Sequence, residues 1–210
     1  GNTVTRDKVI RREFRINEGD AFNAIKVKRS QDRIQSLGFF QDKLEIKQTE
    51  GSAPDRVVLG LNVEEKPTGQ LSVSGGYSSL ERFVVQLAVS QNNFLGKGQS
   101  LDASVDYSRY SKSIQLGFVE PYFLDKPILL GGQIYRRDYN SFNFVGGSRN
   151  TSYSQVSTGG ALRTGFPLTE FMSFGGRYSL VQDHVTLDKS TFYEDLNGDG
   201  YVDFRIPVIW

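Results

Sequence analysis

The chain has 210 residues, with 25 basic and 24 acidic side chains, 22 glycines, one histidine, one tryptophan and no cysteine. A formal charge of +1 excludes a nucleic-acid binder held by bulk electrostatics. The missing thiols exclude disulfides, cysteine nucleophiles and zinc–thiolate sites. No apolar run reaches the ~20 residues of a membrane-spanning helix. With Gly1 in first place and no signal-peptide pattern, the expectation is a piece of a longer precursor.

Charge density divides the chain. Residues 1–66 hold 24 charged side chains and residues 67–210 hold 25, so the density halves at Pro67 while glycine, serine and aromatics rise. Two domains, 1–66 and 67–210, are expected, joined without a flexible linker.

In chain order, residues 5–14 predict a short helix with Val9, Ile10 and Phe14 on one side and Thr3 or Thr5 as its cap. Residues 23–37 predict a second helix, with Ala24, Val27, Ile34 and Leu37 inward and Gly38 as its stop. Strands follow at 43–47 and 57–63, separated by a Gly-Ser-Ala-Pro-Asp turn. The first domain is thus a small α+β unit.

Beyond residue 67 the period is two. Leu71 and Val73, then Val85, Leu87 and Val89, then Leu101, Ala103 and Val105 alternate with polar neighbours. Ile114, Leu116 and Phe118 do the same, as do Leu130 and Ile134, Val156 and Leu162, and Phe174, Tyr178 and Leu180. Seven antiparallel strands of about ten residues are expected. A soluble barrel turns such apolar faces inward; a transmembrane barrel turns them to lipid and keeps a wet interior. The membrane reading is favoured, because Asp102, Asp106, Arg163 and Arg177 would line the wet side. Aromatics also gather at strand ends: Phe94, Tyr122, Phe123 and Phe166 at one rim, Tyr77, Tyr107, Tyr110, Tyr139 and Tyr178 at the other. Residues 92–98, 121–127 and 165–170 read as compact turns, and 138–153 and 182–210 as long polar loops.

Enzymatic motifs are weak. His184 beside Asp183 reads as a solvated loop histidine, and no nucleophile elbow or phosphate-cradling glycine motif is present. Asp195, Asn197, Asp199 and Asp203 space their oxygens like the start of a calcium loop, but Ile206 stands where a bidentate Glu is needed. Asn-Gly and Asp-Gly also simply make tight turns. No firm metal site and no cofactor are expected.

Val9-Ile10-Arg11-Arg12-Glu13-Phe14, Glu18-Gly19 and Arg33-Ile34-Gln35-Ser36-Leu37-Gly38-Phe39-Phe40 resemble a POTRA domain, a periplasmic β-α-α-β-β module. Val63-Glu64-Glu65-Lys66-Pro67-Thr68-Gly69 resembles the join from the last such domain into a barrel. Asn92-Asn93-Phe94-Leu95-Gly96-Lys97-Gly98, Glu120-Pro121-Tyr122-Phe123 and Gly165-Phe166-Pro167 resemble, in order, three periplasmic turns of the BamA family of outer-membrane β-barrel assembly insertases.

The resemblance implies a last POTRA domain lacking its first strand, followed by about seven of sixteen transmembrane barrel strands. It implies a non-enzymatic factor of the bacterial outer membrane, with the POTRA part in the periplasm, that inserts β-barrel proteins by pairing them with an openable barrel edge. That edge would be Gly69, Gln70, Leu71, Ser72, Val73, Ser74, Gly75, Gly76 and Tyr77. Arg15 and Glu18 would dock a BamD-like lipoprotein of the assembly machine. The other partners implied are the lipid bilayer and unfolded outer-membrane proteins, with no nucleic acid. The alternative is a polypeptide exporter of the same superfamily, of two-partner secretion or TamA-like type.

Overall fold

The structure is a computed structural model that describes residues 1–42, 44–145, 147–169, 171–188, 193–194, 198 and 203–204. Helix α1 (Asp7–Arg11) and helix α2 (Ala24–Ser36) precede an antiparallel pair, β1 (Glu45–Glu50) and β2 (Val57–Asn62). A seven-stranded antiparallel sheet follows in chain order. Its strands are β3 (Gly69–Ser78), β4 (Arg82–Phe94), β5 (Gln99–Ser108), β6 (Ser111–Glu120), β7 (Leu129–Val145), β8 (Ser148–Pro167) and β9 (Ser173–Leu187).

The helical unit has its own dry core. Val9 and Ile10 of α1, Ile34 of α2, and Phe39, Phe40, Leu44 and Val63 are buried together. Helix α2 starts where Asn23 accepts hydrogen bonds from the Ile25 and Lys26 amides, and it ends at Gly38 with φ of +73°. Ser30 takes the inward place expected of Ala24, which is exposed; its hydroxyl donates to the Lys26 carbonyl and accepts from the Arg15 amide. Helix α1 is shorter than expected, and neither Thr3 nor Thr5 caps it with its side chain. Both are engaged elsewhere, as described below.

The seven-stranded sheet keeps one register from edge to edge. Leu71, Val89, Ala103, Leu116, Ile134, Gly160 and Leu180 are successive cross-strand partners on one face. Ser74, Gln86, Asp106, Ser113, Arg137, Ser157 and Asp183 are successive partners on the other. Polar contacts knit the second face: Ser90 donates to Asp102 at 2.8 Å, Ser113 to Asp106 at 2.7 Å, and Ser157 to Asp183. Asp102, Arg163 and Arg177 lie together on this face, as the alternation requires. The apolar face is bare. Leu71, Val73, Ile134 and Leu162 are each at least 60% exposed, and among the described residues no second layer packs on them.

Three further expectations fail in the sheet. Residues 138–153 do not form a loop: β7 and β8 run to Val145 and Ser148, so the segment is the far part of a long hairpin. Tyr139, Phe142 and Phe144 are interspersed among its polar residues, and cross-strand pairing satisfies their backbone. His184 also lies in a strand, opposite Val156. Tyr178 is not at the far rim, because it pairs with Leu162 only five residues into β9. Residues 195, 197 and 199 lie outside the described residues, as does the Asp203 side chain, so the calcium pattern falls there. Among the described residues no acidic or histidine cluster is placed to hold a metal.

Tyr135 lies across Gly159, its hydroxyl 2.6 Å from where a Cβ would stand, with the Leu180 carbonyl 3.0 Å away. Gly159→Val should therefore destabilise the sheet by about 1–3 kcal/mol, whereas Gly76→Val, with nothing within 4 Å of its Cβ position, should not. Thermal loss of folded electrophoretic mobility checks the contrast.

Candidate functional site

Strand β3 is an edge: among the described residues it pairs with β4 alone. The phase of its hydrogen bonds follows from its root. The Asn92 amide donates to the Thr68 carbonyl at 3.0 Å, just before Gly69 pairs with Gln91. Antiparallel bonding alternates strictly. Gln70, Ser72, Ser74 and Gly76 therefore spend their backbone groups on β4. Gly69, Leu71, Val73, Gly75 and Tyr77 turn theirs to the open side, and their side-chain positions are those of the apolar face. Every β3 residue up to Tyr77 is exposed.

The two ends of this strand are held differently. At the far end Tyr77 and Phe83 meet edge to face with centroids 5.3 Å apart, and Arg82 donates to the Tyr77 hydroxyl at 3.0 Å. At the root a Cβ on Gly69 would strike the Gln91 side chain. Crowding does not explain Gly75 and Gly76: a Cβ would meet only the Val84 carbonyl at 3.8 Å in the first case and nothing in the second. Two consecutive glycines without a packing need weaken the strand.

The root is also where the helical unit is fastened. Glu65 accepts from the Thr3 amide and hydroxyl, the Val4 amide and the Thr5 amide, at 2.6–2.9 Å. Burial raises the Glu65 pKa, but the hydrogen bonds from Thr5, Thr3 and Val4 outweigh it, and the pKa falls from 4.5 to about 2. The Thr5 hydroxyl accepts from Asn93, whose own carbonyl oxygen accepts from the Gly98 amide, both at 2.8 Å. The Arg6 amide donates to the Gly96 carbonyl at 2.9 Å. Thr3 and Thr5 thus tie the chain start to the joint and to the first turn of the sheet.

Helix α1 continues the contact. Buried Glu13 accepts from Arg33 at 2.7 Å and from the Tyr122 hydroxyl at 3.2 Å, and the Arg12 guanidinium lies 4.0 Å over the Tyr122 ring. Burial first, and the Glu13 carboxylate second, hold the Tyr122 phenol above its usual pKa. Lys8 pairs with Asp125 at 2.8 Å on the surface and lowers its pKa. The turns that accept the helix are built on left-handed backbone at Asn93, Leu95, Gly96, Gly98, Leu124 and Asp125. The Asn-Asn-Phe-Leu-Gly run carries that signal in sequence, but its Thr5 partner lies 88 residues away.

Arg15 and Glu18 occupy the loop between the helices. The Arg15 side chain is exposed, and Glu18 pairs with Arg11 at 3.3 Å, almost fully in solvent. Such a pair contributes little to stability.

With this geometry in hand, the likenesses to known proteins are informative. A family model described as the Omp85 superfamily domain matches residues 93–205, and a POTRA model, described as surface antigen variable number repeat, matches residues 1–66. The chain is 30% identical to the outer membrane protein assembly factor BamA of Neisseria meningitidis serogroup B, over 90% of this chain and 23% of that protein. It is 30% identical to BamA of Nitratidesulfovibrio vulgaris, over 86% of this chain and 22% of the other. The structure of BamA from Haemophilus ducreyi lacking POTRA domains 1–3 is similar with a TM-score of 0.68 at 28% identity, covering 87% of this chain and 34% of that one. CdiB from Escherichia coli shares the fold, with a TM-score of 0.60 at 16% identity over 86% of this chain and 35% of the other. The chain spans about a quarter of the length of the curated relatives it matches.

As pH falls from above 4.5 toward 2, Glu65 protonates and the stability stored in its hydrogen bonds is lost, since its folded pKa lies below its unfolded one. Protection of the residue 2–6 amides relative to their intrinsic exchange should fall across that window, and in Glu65→Gln it should be low at every pH. A Cβ on Gly96 would strike the Val4 carbonyl oxygen, at φ of +67°. Gly96→Ala should therefore raise exchange in the same segment at neutral pH by about tenfold or more, the loss of ~1.4 kcal/mol or greater.

Proposed function

The chain belongs to the Omp85 superfamily, and from that premise we propose that it is the POTRA-to-barrel portion of an outer-membrane protein assembly factor, residues 1–66 forming the POTRA domain and 67–210 the first part of the barrel. The observation that carries this reading is strand β3, an edge among the described residues, rooted beside an anchored helical unit. A β-barrel substrate must enter hydrocarbon without exposing unpaired amides, each of which costs several kcal/mol there. The five outward residues Gly69, Leu71, Val73, Gly75 and Tyr77 offer it a row of donors and acceptors. Backbone groups make the bonds, so extended geometry matters more than side-chain identity. The work is strand exchange, without covalent chemistry.

The lipid bilayer covers the apolar face, unfolded outer-membrane proteins are the substrates, and the POTRA domain stands in the periplasm. The exposed side chains of Arg15 and Glu18, the latter paired with Arg11 on the surface, form the docking point for a BamD-like lipoprotein. The likeness to assembly factors at 28–30% identity, against 16% for CdiB, supports assembly over export.

In the full-length protein, Val73→Pro removes an outward donor while leaving the β3–β4 ladder intact. It should reduce photo-crosslinking of a substrate strand to β3 several-fold more than Val73→Ala does. Ser74→Pro should also exceed its alanine counterpart, but by unpairing β3 from β4. Equal crosslinking in the proline and alanine variants would sink the templating role. For docking, Glu18→Lys should abolish co-purification of the lipoprotein, and an unchanged yield would rule that contact out.

A further inference from the structure

We propose that the bare face of β6–β9 holds one anionic membrane lipid, with its phosphate on Arg136 and an acyl chain in the groove beside it. The groove is open to the surface and offers about 700 Å³. Its flanks are Ile114, Leu116, Ile134 and Leu180, and Gly160 leaves its middle open. Arg136, Thr158 and Gln182 line it as well. These three sit in one cross-strand row with Ile114, a step farther from the helical unit than the row of Leu116, Ile134, Gly160 and Leu180. The site is thus greasy at one end and polar at the other.

The charge needs an anion. Arg136 is exposed on the apolar face, and none of the ion pairs among the described residues includes it. The nearest carboxylate on its face along β7 is Asp138, whose register partner is Lys112, and no ion pair among the described residues joins Asp138 to Arg136. A guanidinium that looks at hydrocarbon is costly unless it lies near the interface and meets a counter-charge. Its depth fits. Thr158, in the same row, is eight residues along β8 from Phe166 at the near rim, about 26 Å of strand. At the usual tilt of about 40° that is ~20 Å of height against ~25 Å for an apolar belt, which places Arg136 in the last few ångströms of the belt, where its long side chain reaches the headgroups of the leaflet away from the helical unit. Phosphate is the anion a bilayer supplies there, and a guanidinium binds it through a bidentate fork. The inference rests on the belt facing lipid and does not depend on strand templating.

The test is native mass spectrometry of the full-length protein in detergent, titrated with phosphatidylglycerol or phosphatidylcholine. The wild type should retain phosphatidylglycerol preferentially, and Arg136→Gln should weaken retention about tenfold, the usual worth of a charge-assisted contact. Gly160→Val keeps the charge but fills the groove, and it should weaken retention of long-chain more than short-chain phosphatidylglycerol. Folded electrophoretic mobility identifies variants that retain the barrel. Equal retention of both lipids, or no loss in Arg136→Gln, would overturn the proposal. Displacement by equimolar inorganic phosphate would also overturn it, by revealing a free-anion site. Assembly activity is read separately, so failure here leaves the templating reading standing.

Discussion

Everything in the larger part of the molecule depends on the two-residue period of the pleat being carried without a slip across seven strands. A shift of one residue in any pair would exchange the faces from that strand onward. Arg137, Asp106 and Asp183 would then face outward, and Leu87, Val105 and Ile134 would face the polar side. Water does not tolerate an apolar surface of this size left uncovered, and hydrocarbon does not tolerate the ionic face. The register is therefore specified from both sides. The irregular places confirm how tightly it is kept: the shift between Asn92 and Phe94 falls at a turn, and the one between Ser141 and Phe142 falls in the far part of the long hairpin.

The smaller part is held by different physics. Its dry core is a handful of residues around Ile34 and Phe40, too few for an independent unit of this length to have much margin. Polar contacts to the sheet add to it. Thr5, Glu13 and Asn93 are polar and each no more than 4% exposed, and each is satisfied across the boundary. Buried groups of this kind are expensive to leave unmatched, so the same contacts that stabilise the unit also fix its orientation on the near turns.

What the sequence revealed and what it hid follow the range of the interactions. Strand positions between residues 69 and 134 were legible, because alternation is local and strong. Helix α2 was legible from Asn23 and Gly38, one at each end. The far extension of β7 and β8 was not, since Asn140, Ser141 and Asn143 have the composition of a loop and only their cross-strand partners make them a strand. Thr3 and Thr5 looked like caps for a helix next to them. Their actual partners, Glu65 and Asn93, are about sixty and ninety residues on, and no local pattern encodes such distances. Periodicity showed the candidate edge only as a strand, and the family resemblance alone marked it as an edge; its outward donors become identifiable only through the Asn92–Thr68 bond.

The boundary and the edge meet in a few residues. Glu65 is clamped by the chain start, the Lys66 amide is held by the Phe39 carbonyl, and Thr68 is bonded to Asn92. Strand β3 begins directly after them. Its root is thus bonded to both the helical unit and the first turn, while its tip is packed in the Tyr77–Phe83 pair. Between them, Val73 to Gly76 has one neighbour among the described residues and two glycines. A strand fixed at both ends and weakest in the middle can loosen without changing register, because register is set at the ends. On the proposed templating, an incoming strand pairing with Val73 and Gly75 would meet donors and acceptors whose spacing is already correct.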